Sequence, residues 1–284
     1  MNDVKKGRHN RQIYDLSKKN EKAIEEYLLN ISDSITNKNT LRNHKRYLFM
    51  FLGKINKNFD KITIIDAKKV LKSYKATSAE TMKAAIRGFL RFHGKNDIAD
   101  NIKSNVKVLS EPTKGEESVM TPEEIQNIVT KPIDQQDRAI GEVFVITGAR
   151  RGELCEMNLG DVEIGEQVIR FNLRISKTQS RKVSIIPRED NPCAIFPSNL
   201  VNIVTTRISR GESRNEPLFL SRSKKHDVKG QRYSPAGINH VIIRIKLESG
   251  IPDEIKLSPH IFRHTAATYD GKTFPEQLLR EKYG

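Results

Sequence analysis

The chain has 284 residues, 50 Lys plus Arg against 35 Asp plus Glu, a formal net charge of +15 and a pI near 9.7. That length exceeds the usual span of one hydrophobic core, so two domains are expected, and the charge favours a polyanionic partner, nucleic acid first, because a basic surface gains from counterion release. Cys155 and Cys193 are too few for a disulfide scaffold, no apolar run approaches the roughly 20 residues of a membrane span, and Met1 to Arg8 lack the apolar core of a secretion signal, so a cytoplasmic protein without membrane contact is expected.

The excess charge is concentrated at one end. Residues 1–110 hold 24 Lys plus Arg against 11 Asp plus Glu, a net of +13, whereas residues 111–284 hold 26 against 24, a net of +2. A lysine-rich solvated surface would raise both parts alike, so the bias points to a nucleic-acid-binding N-terminal domain.

In chain order, Leu16, Ala23, Ile24, Tyr27 and Leu28 recur near helical spacing and predict a first helix over 15–29, followed by a polar loop over 30–39. Thr40 suits a cap for a second helix to about Leu52, with Leu41, Leu48, Phe51 and Leu52 on one face and Arg42, Lys45 and Arg46 toward the other. A third helix is expected over Ile65 to Tyr74. The fourth begins near Ser78 and buries Met82, Ala85, Ile86 and Phe89, while Lys83, Arg87 and Arg91 stand four apart in a cationic row suited to DNA contact.

From Asp97 the periodicity fades, and Glu111-Pro112-Thr113-Lys114-Gly115-Glu116-Glu117 reads as a linker. The expected organisation is a helical domain over 1–100, a linker over 101–118 and a second domain over 119–284. Thr121-Pro122-Glu123-Glu124 is a capping box with proline at the first helical position. Helical segments follow over 137–145 and 153–157, broken at Gly148. Val168 to Ile175 and Lys182 to Ile186 are β-branched and partly alternating, and predict a hairpin with Lys177 at its tip. Later helices are expected over 199–208, 234–248 and 261–269. The fold class is mainly α with a small β-hairpin or sheet (α+β).

Two segments carry chemistry. Thr147-Gly148-Ala149-Arg150-Arg151-Gly152-Glu153-Leu154 lifts Arg150 out of the apolar run Val143 to Ile146, and Ser258-Pro259-His260-Ile261-Phe262-Arg263-His264-Thr265 sets His260 and Arg263 on one helical face. A guanidinium fork gives paired hydrogen bonds to phosphate and stays charged, which suits Arg150 and Arg263 to a phosphodiester. Lys177 could donate a proton to a leaving alkoxide. Zinc between His260 and His264 is the weaker reading, since no Glu follows the first His and the cysteines have no paired spacing; His264 reads better as a core residue.

Taken together, Arg150 in a Thr-Gly-x-Arg box with Leu159-Gly160-Asp161-Val162 beyond it, a hairpin lysine, and His260-x-x-Arg263 before Thr265-Ala266-Ala267-Thr268 resemble the signature of the tyrosine recombinase, or phage-type integrase, family. The resemblance implies a helical core-binding domain over 11–97 and a catalytic domain from about Met120, the two clamping a DNA duplex. It implies that Arg150 and Arg263 hold the scissile phosphate, Lys177 is the general acid, His260 assists proton transfer, and a tyrosine attacks to leave a 3′-phosphotyrosine, with no metal or cofactor. It further implies a tetramer on paired sites; for this chain a monomer off DNA is expected. In the family a His or Trp and then the tyrosine follow a glycine at the place where this sequence reads Tyr283-Gly284, so an incomplete catalytic segment is expected, with Tyr269 and Tyr283 poor candidates for the nucleophile. The alternative is a DNA-binding protein that occupies recombination sites without cutting. A metal-dependent nuclease fits least, because clustered Asp and Glu are missing near the boxes.

Overall fold

A computed structural model describes residues 16–35, 38–74, 76–105, 119–174, 180–222 and 230–283. The chain divides into two compact units, Met1–Thr113 and Lys114–Gly284.

The first unit packs five helices: α1 (Lys18–Ser32), α2 (Lys38–Ile55), α3 (Ile64–Lys72), α4 (Ala76–Phe92) and α5 (Asn96–Asn105). Ser17 caps α1 by accepting a bond from the Asn20 N–H, and Thr63 and Asp66 cap α3 reciprocally, so helix starts are fixed by short polar side chains. Apolar stripes at helical spacing meet in one core around Ile24, Leu48, Phe51, Met82, Ile86 and Phe89. Tyr27 sets its ring edge-on to Phe89 at 5.8 Å.

Helix α5 occupies a stretch where the fading periodicity predicts no regular structure. Only Ile98, Ala99 and Ile102 supply its apolar stripe, too few for a clear period, yet Ala99 and Ile102 are fully buried and the helix packs on α3 and α4. Residues 106–118, including the Pro- and Gly-containing stretch, lie outside the described residues.

The second unit contains α6 (Pro122–Thr130), α7 (Gln135–Thr147), α8 (Arg151–Glu156), a three-stranded antiparallel sheet of β1 (Val162–Ile164), β2 (Ile169–Leu173) and β3 (Arg181–Ile185), then α9 (Ser198–Ser209), α10 (Pro235–Glu248), α11 (Pro259–Gly271) and α12 (Glu276–Tyr283). Thr121 and Glu124 form the expected capping box ahead of α6. The sheet has one strand more than the expected hairpin, because the short β1 pairs with β2 in the register Val162↔Phe171. Strand β3 starts one residue earlier than expected, and its period of two turns Arg181, Val183 and Ile185 inward together.

Helix α7 is the centre of this unit. Every residue from Gln136 to Thr147 except Arg138 is buried, which makes it a core helix contacted by α6, α9, α10 and α11. Phe144 on α7 stacks on Phe262 of α11 at 5.1 Å and 15°. That pair brings the residue after it, Arg263, to the end of α7.

If α5 belongs to the first core, Ile102→Ala should lower the stability of the first unit by about 3 kcal/mol, the usual cost of emptying a buried isoleucine site. Denaturant unfolding of the whole chain, followed by a probe in the first unit, checks this; a linker residue would change nothing.

Candidate active site

The site forms where α7 ends. Thr147 Oγ1 donates to the Val143 carbonyl at 2.6 Å and accepts the Ala149 N–H at 3.1 Å, while Gly148 turns left-handed at φ +54°. A Cβ at Gly148 would sit 2.7 Å from the Tyr283 ring and 3.3 Å from the Arg263 Cα, so only glycine lets the two segments close on this turn. The chain then enters α8 with Arg150 as its N-cap residue.

Glu153 holds the cations together. Its side chain is fully buried; Oε2 accepts from the Arg150 backbone N–H at 2.7 Å and from Arg181 Nη2 at 2.9 Å, and Oε1 accepts from Arg150 Nη1 at 3.0 Å. Burial opposes its ionisation, but the Arg181 hydrogen bond, the Arg150 N–H and the Arg181 charge outweigh burial and hold the carboxyl below the usual carboxylate range.

Arg263 reaches the same place from the first turns of α11 and donates from Nη1 to the Gly148 carbonyl at 3.1 Å. Its guanidinium also lies over the Tyr283 ring at 5.4 Å. Burial first, then the charges of Arg150 and Arg181, pull its pKa down to about 10. It stays protonated at neutral pH, in a place where an anion would relieve the repulsion. Arg150, 32% exposed, and the half-buried Arg263 keep guanidinium N–H groups beyond those engaged in these bonds, which suits them to a phosphate.

Arg181 is a site residue that the sequence motifs do not mark. It is 6% exposed and donates to Glu153, to the Thr147 carbonyl at 3.4 Å and to the Lys282 carbonyl. Its sequence signal is the strand period, since Val183 and Ile185 place position 181 on the inward face, where an arginine needs a buried acceptor. Arg151, the weaker arginine of the pair, is exposed and bonds Asn239 at 2.9 Å instead of Glu153. His260 is exposed in the first turn of α11, behind the Ser258 cap. Lys177 lies outside the described residues. His264 is partly buried, with Nε2 lacking a partner and Nδ1 3.5 Å from Thr268 Oγ1. Among the described residues no group of three His, Cys, Asp or Glu side chains could hold a metal ion.

The first unit sorts its basic residues in two ways. On α4, Lys83 bonds Glu80 of the same helix at 3.3 Å, while Arg87 donates to the Ala99 carbonyl at 3.2 Å and Arg91 pairs with Asp100 at 2.5 Å, so two of the row's three cations are engaged by α5. On α2, which has no acidic residue, Arg42, Lys45 and Arg46 are exposed. Lys45 lies 5.8 Å over Phe49, and Arg42 and Arg46 form no ion pair among the described residues.

Residues 118–269, just over half of the sequence, match the model of the phage integrase family. The chain belongs to the phage integrase family. Its curated relatives include tyrosine recombinase XerC of Thermodesulfovibrio yellowstonii, 25% identical over 213 residues covering 72% of this chain and 65% of that protein, and XerA of Pyrococcus furiosus, 25% identical over 251 residues covering 87% and 79%. The chain thus spans slightly under two thirds of the XerC relative. The fold is similar to that of the lambda integrase chain in the structure of a dimer bound to a COC′ core site, with TM-score 0.69, 17% identity and coverage of 93% of this chain and 94% of that one, and in the structure of a tetramer bound to a Holliday junction, with TM-score 0.69, 17% identity and coverage of 97% and 82%.

Glu153→Gln leaves Arg150 and Arg181 uncompensated around a buried position and should cost the second unit about 3 kcal/mol. The folded pKa lies below the ordinary value, so the carboxylate's contribution is complete above about pH 4.3 and is lost as pH falls through the lowered value. Urea unfolding between neutral and acidic pH should therefore show a gap between parent and variant that closes on the acid side.

Proposed function

We propose that the chain is a site-specific DNA recombinase whose second unit binds the scissile phosphate between Arg150 and Arg263. The observation that carries this reading is the three-arginine cluster at the end of α7, with Arg150 and Arg181 bonded to buried Glu153 and Arg263 to the Gly148 carbonyl: two guanidiniums keep free donors, and the third, Arg181, is enclosed and holds the framework. Such preorganised cations stabilise charge that grows on phosphate oxygens in the transition state. His260 assists proton transfer, and Lys177 supplies the proton to the leaving 5′ oxygen. A tyrosine attacks, so the bond energy is kept in a 3′-phosphotyrosine and rejoining requires no outside energy source.

The nucleophile is not one of the described tyrosines of this unit. Tyr283 is buried and donates to Asp270 at 2.6 Å, Tyr269 donates to the Met120 carbonyl at 3.2 Å, and Tyr233 is buried beside Arg244. The second reading is occupancy of a recombination site without cutting, supported by the engagement of the described tyrosines of this unit. The DNA surface of the first unit is the α2 face of Arg42, Lys45 and Arg46, with Arg87 and Arg91 serving α5 and Lys83 paired within α4 before DNA. Double-stranded DNA is the partner; assembly on paired sites follows the relatives, whose tetramer holds a Holliday junction.

Duplex binding measured across a salt series should weaken linearly on logarithmic axes. Arg42→Ala with Arg46→Ala should flatten the slope by about two, one for each phosphate left without its guanidinium, whereas Lys83→Ala with Arg91→Ala should change it by less. Incubation with nicked or otherwise trapping duplexes should give no covalent adduct at Tyr233, Tyr269 or Tyr283; an adduct at any of them would overturn the assignment of those residues.

A further inference from the structure

We infer that Asp270 is a positioning residue of the phosphate site, acting through the last turn of α12 on Arg263 and Arg181. This inference rests on the phosphate reading of Arg150 and Arg263.

Asp270 lies seven residues beyond Arg263 on α11, two turns along the same face. It is 2% exposed. Its Oδ2 accepts from the Tyr283 hydroxyl at 2.6 Å and from Lys282 Nζ at 2.6 Å, and Oδ1 accepts from Asn191 Nδ2 at 2.8 Å. Asn191 is itself buried, and its side-chain carbonyl accepts the Cys193 N–H at 2.8 Å. The carboxylate is therefore satisfied on both oxygens and held by three side chains.

What distinguishes it from an ordinary buried pair is where its two α12 partners lead. Tyr283 presents its ring to the Arg263 guanidinium and covers Gly148, where no Cβ would fit. Lys282 offers its backbone carbonyl to Arg181 Nη1. Each of two consecutive residues thus joins Asp270 to one arginine of the cluster. Removing the carboxylate frees the end of α12 and releases both arginines from a group that fixes their orientation. Burial, then the Asp270 charge, push the Tyr283 phenol well above its ordinary value, so it remains a neutral donor to Asp270.

The test is a titration of the whole chain with inorganic phosphate, followed by the Nε–H resonances of Arg263 and Arg181 in nitrogen-15 spectra, with circular dichroism reporting the fold. Asp270→Asn should shift both resonances before any phosphate is added and weaken phosphate binding about tenfold, as losing one charge-assisted bond would. Tyr283→Phe removes only the hydroxyl, keeps the ring on Arg263 and should move the Arg263 resonance in the same direction by less; it also serves if Asp270→Asn fails to fold. A folded variant that melts earlier but leaves both resonances and the phosphate affinity unchanged would reduce Asp270 to a core ion pair and overturn the inference. Arg150→Ala separates the two claims. If phosphate binds equally well without Arg150, the phosphate reading fails, while the resting resonances of the Asp270 variant still decide whether the carboxylate sets the arginines.

Discussion

A single buried carboxylate, Glu153, makes the arginine cluster possible. Three guanidiniums converging at the end of one helix repel one another, and one of them, Arg181, is enclosed while Arg263 is half-buried. Glu153 offsets this by accepting from Arg150 and Arg181 at once, and the carbonyls that end α7 take further bonds from Arg181 and Arg263. Those carbonyls are the negative end of the α7 dipole, so the helix contributes in the same sense. The glycine turn, the inward arginine of β3 and the Phe144–Phe262 stack all serve to bring these charges to one place.

Much of this is legible in the sequence. The Thr-Gly-x-Arg and His-x-x-Arg boxes locate Arg150 and Arg263, and the helix cap at Thr121 and the apolar stripes of α1, α2 and α4 are readable because each rests on local chemistry. Arg181 is harder to find, because the β-branched run begins only after Lys182 and the alternation has to be carried back past it by one residue. Its partner Glu153 stands out in the sequence only as part of a motif. Spacing shows which residues share a face; it does not show which carboxylate waits there.

Charge counts fail in a related way. Lys83, Arg87 and Arg91 form the expected row on α4, but α5 supplies a carbonyl and a carboxylate to it, and α5 itself is hidden by its short apolar stripe. The pairing that redirects the row comes from a helix that sequence periodicity does not resolve. On α2 the absence of any acidic residue is itself a sequence fact, and it marks the cations left open to solvent more reliably than their number does.

The electrostatics also bear on how the site meets its ligand. One carboxylate beside three guanidiniums leaves the cluster positive, and the crowding is expressed as an Arg263 pKa drawn down to about 10 by burial and by its cationic neighbours. A phosphate bound between Arg150 and Arg263 would reverse that shift, because its charge opposes both the burial and the repulsion. The repulsion built into the cluster therefore favours the anion. Arg181, enclosed and already bonded to Glu153, gains little from such a ligand, which explains why the fold can bury it while leaving the other two partly open to solvent.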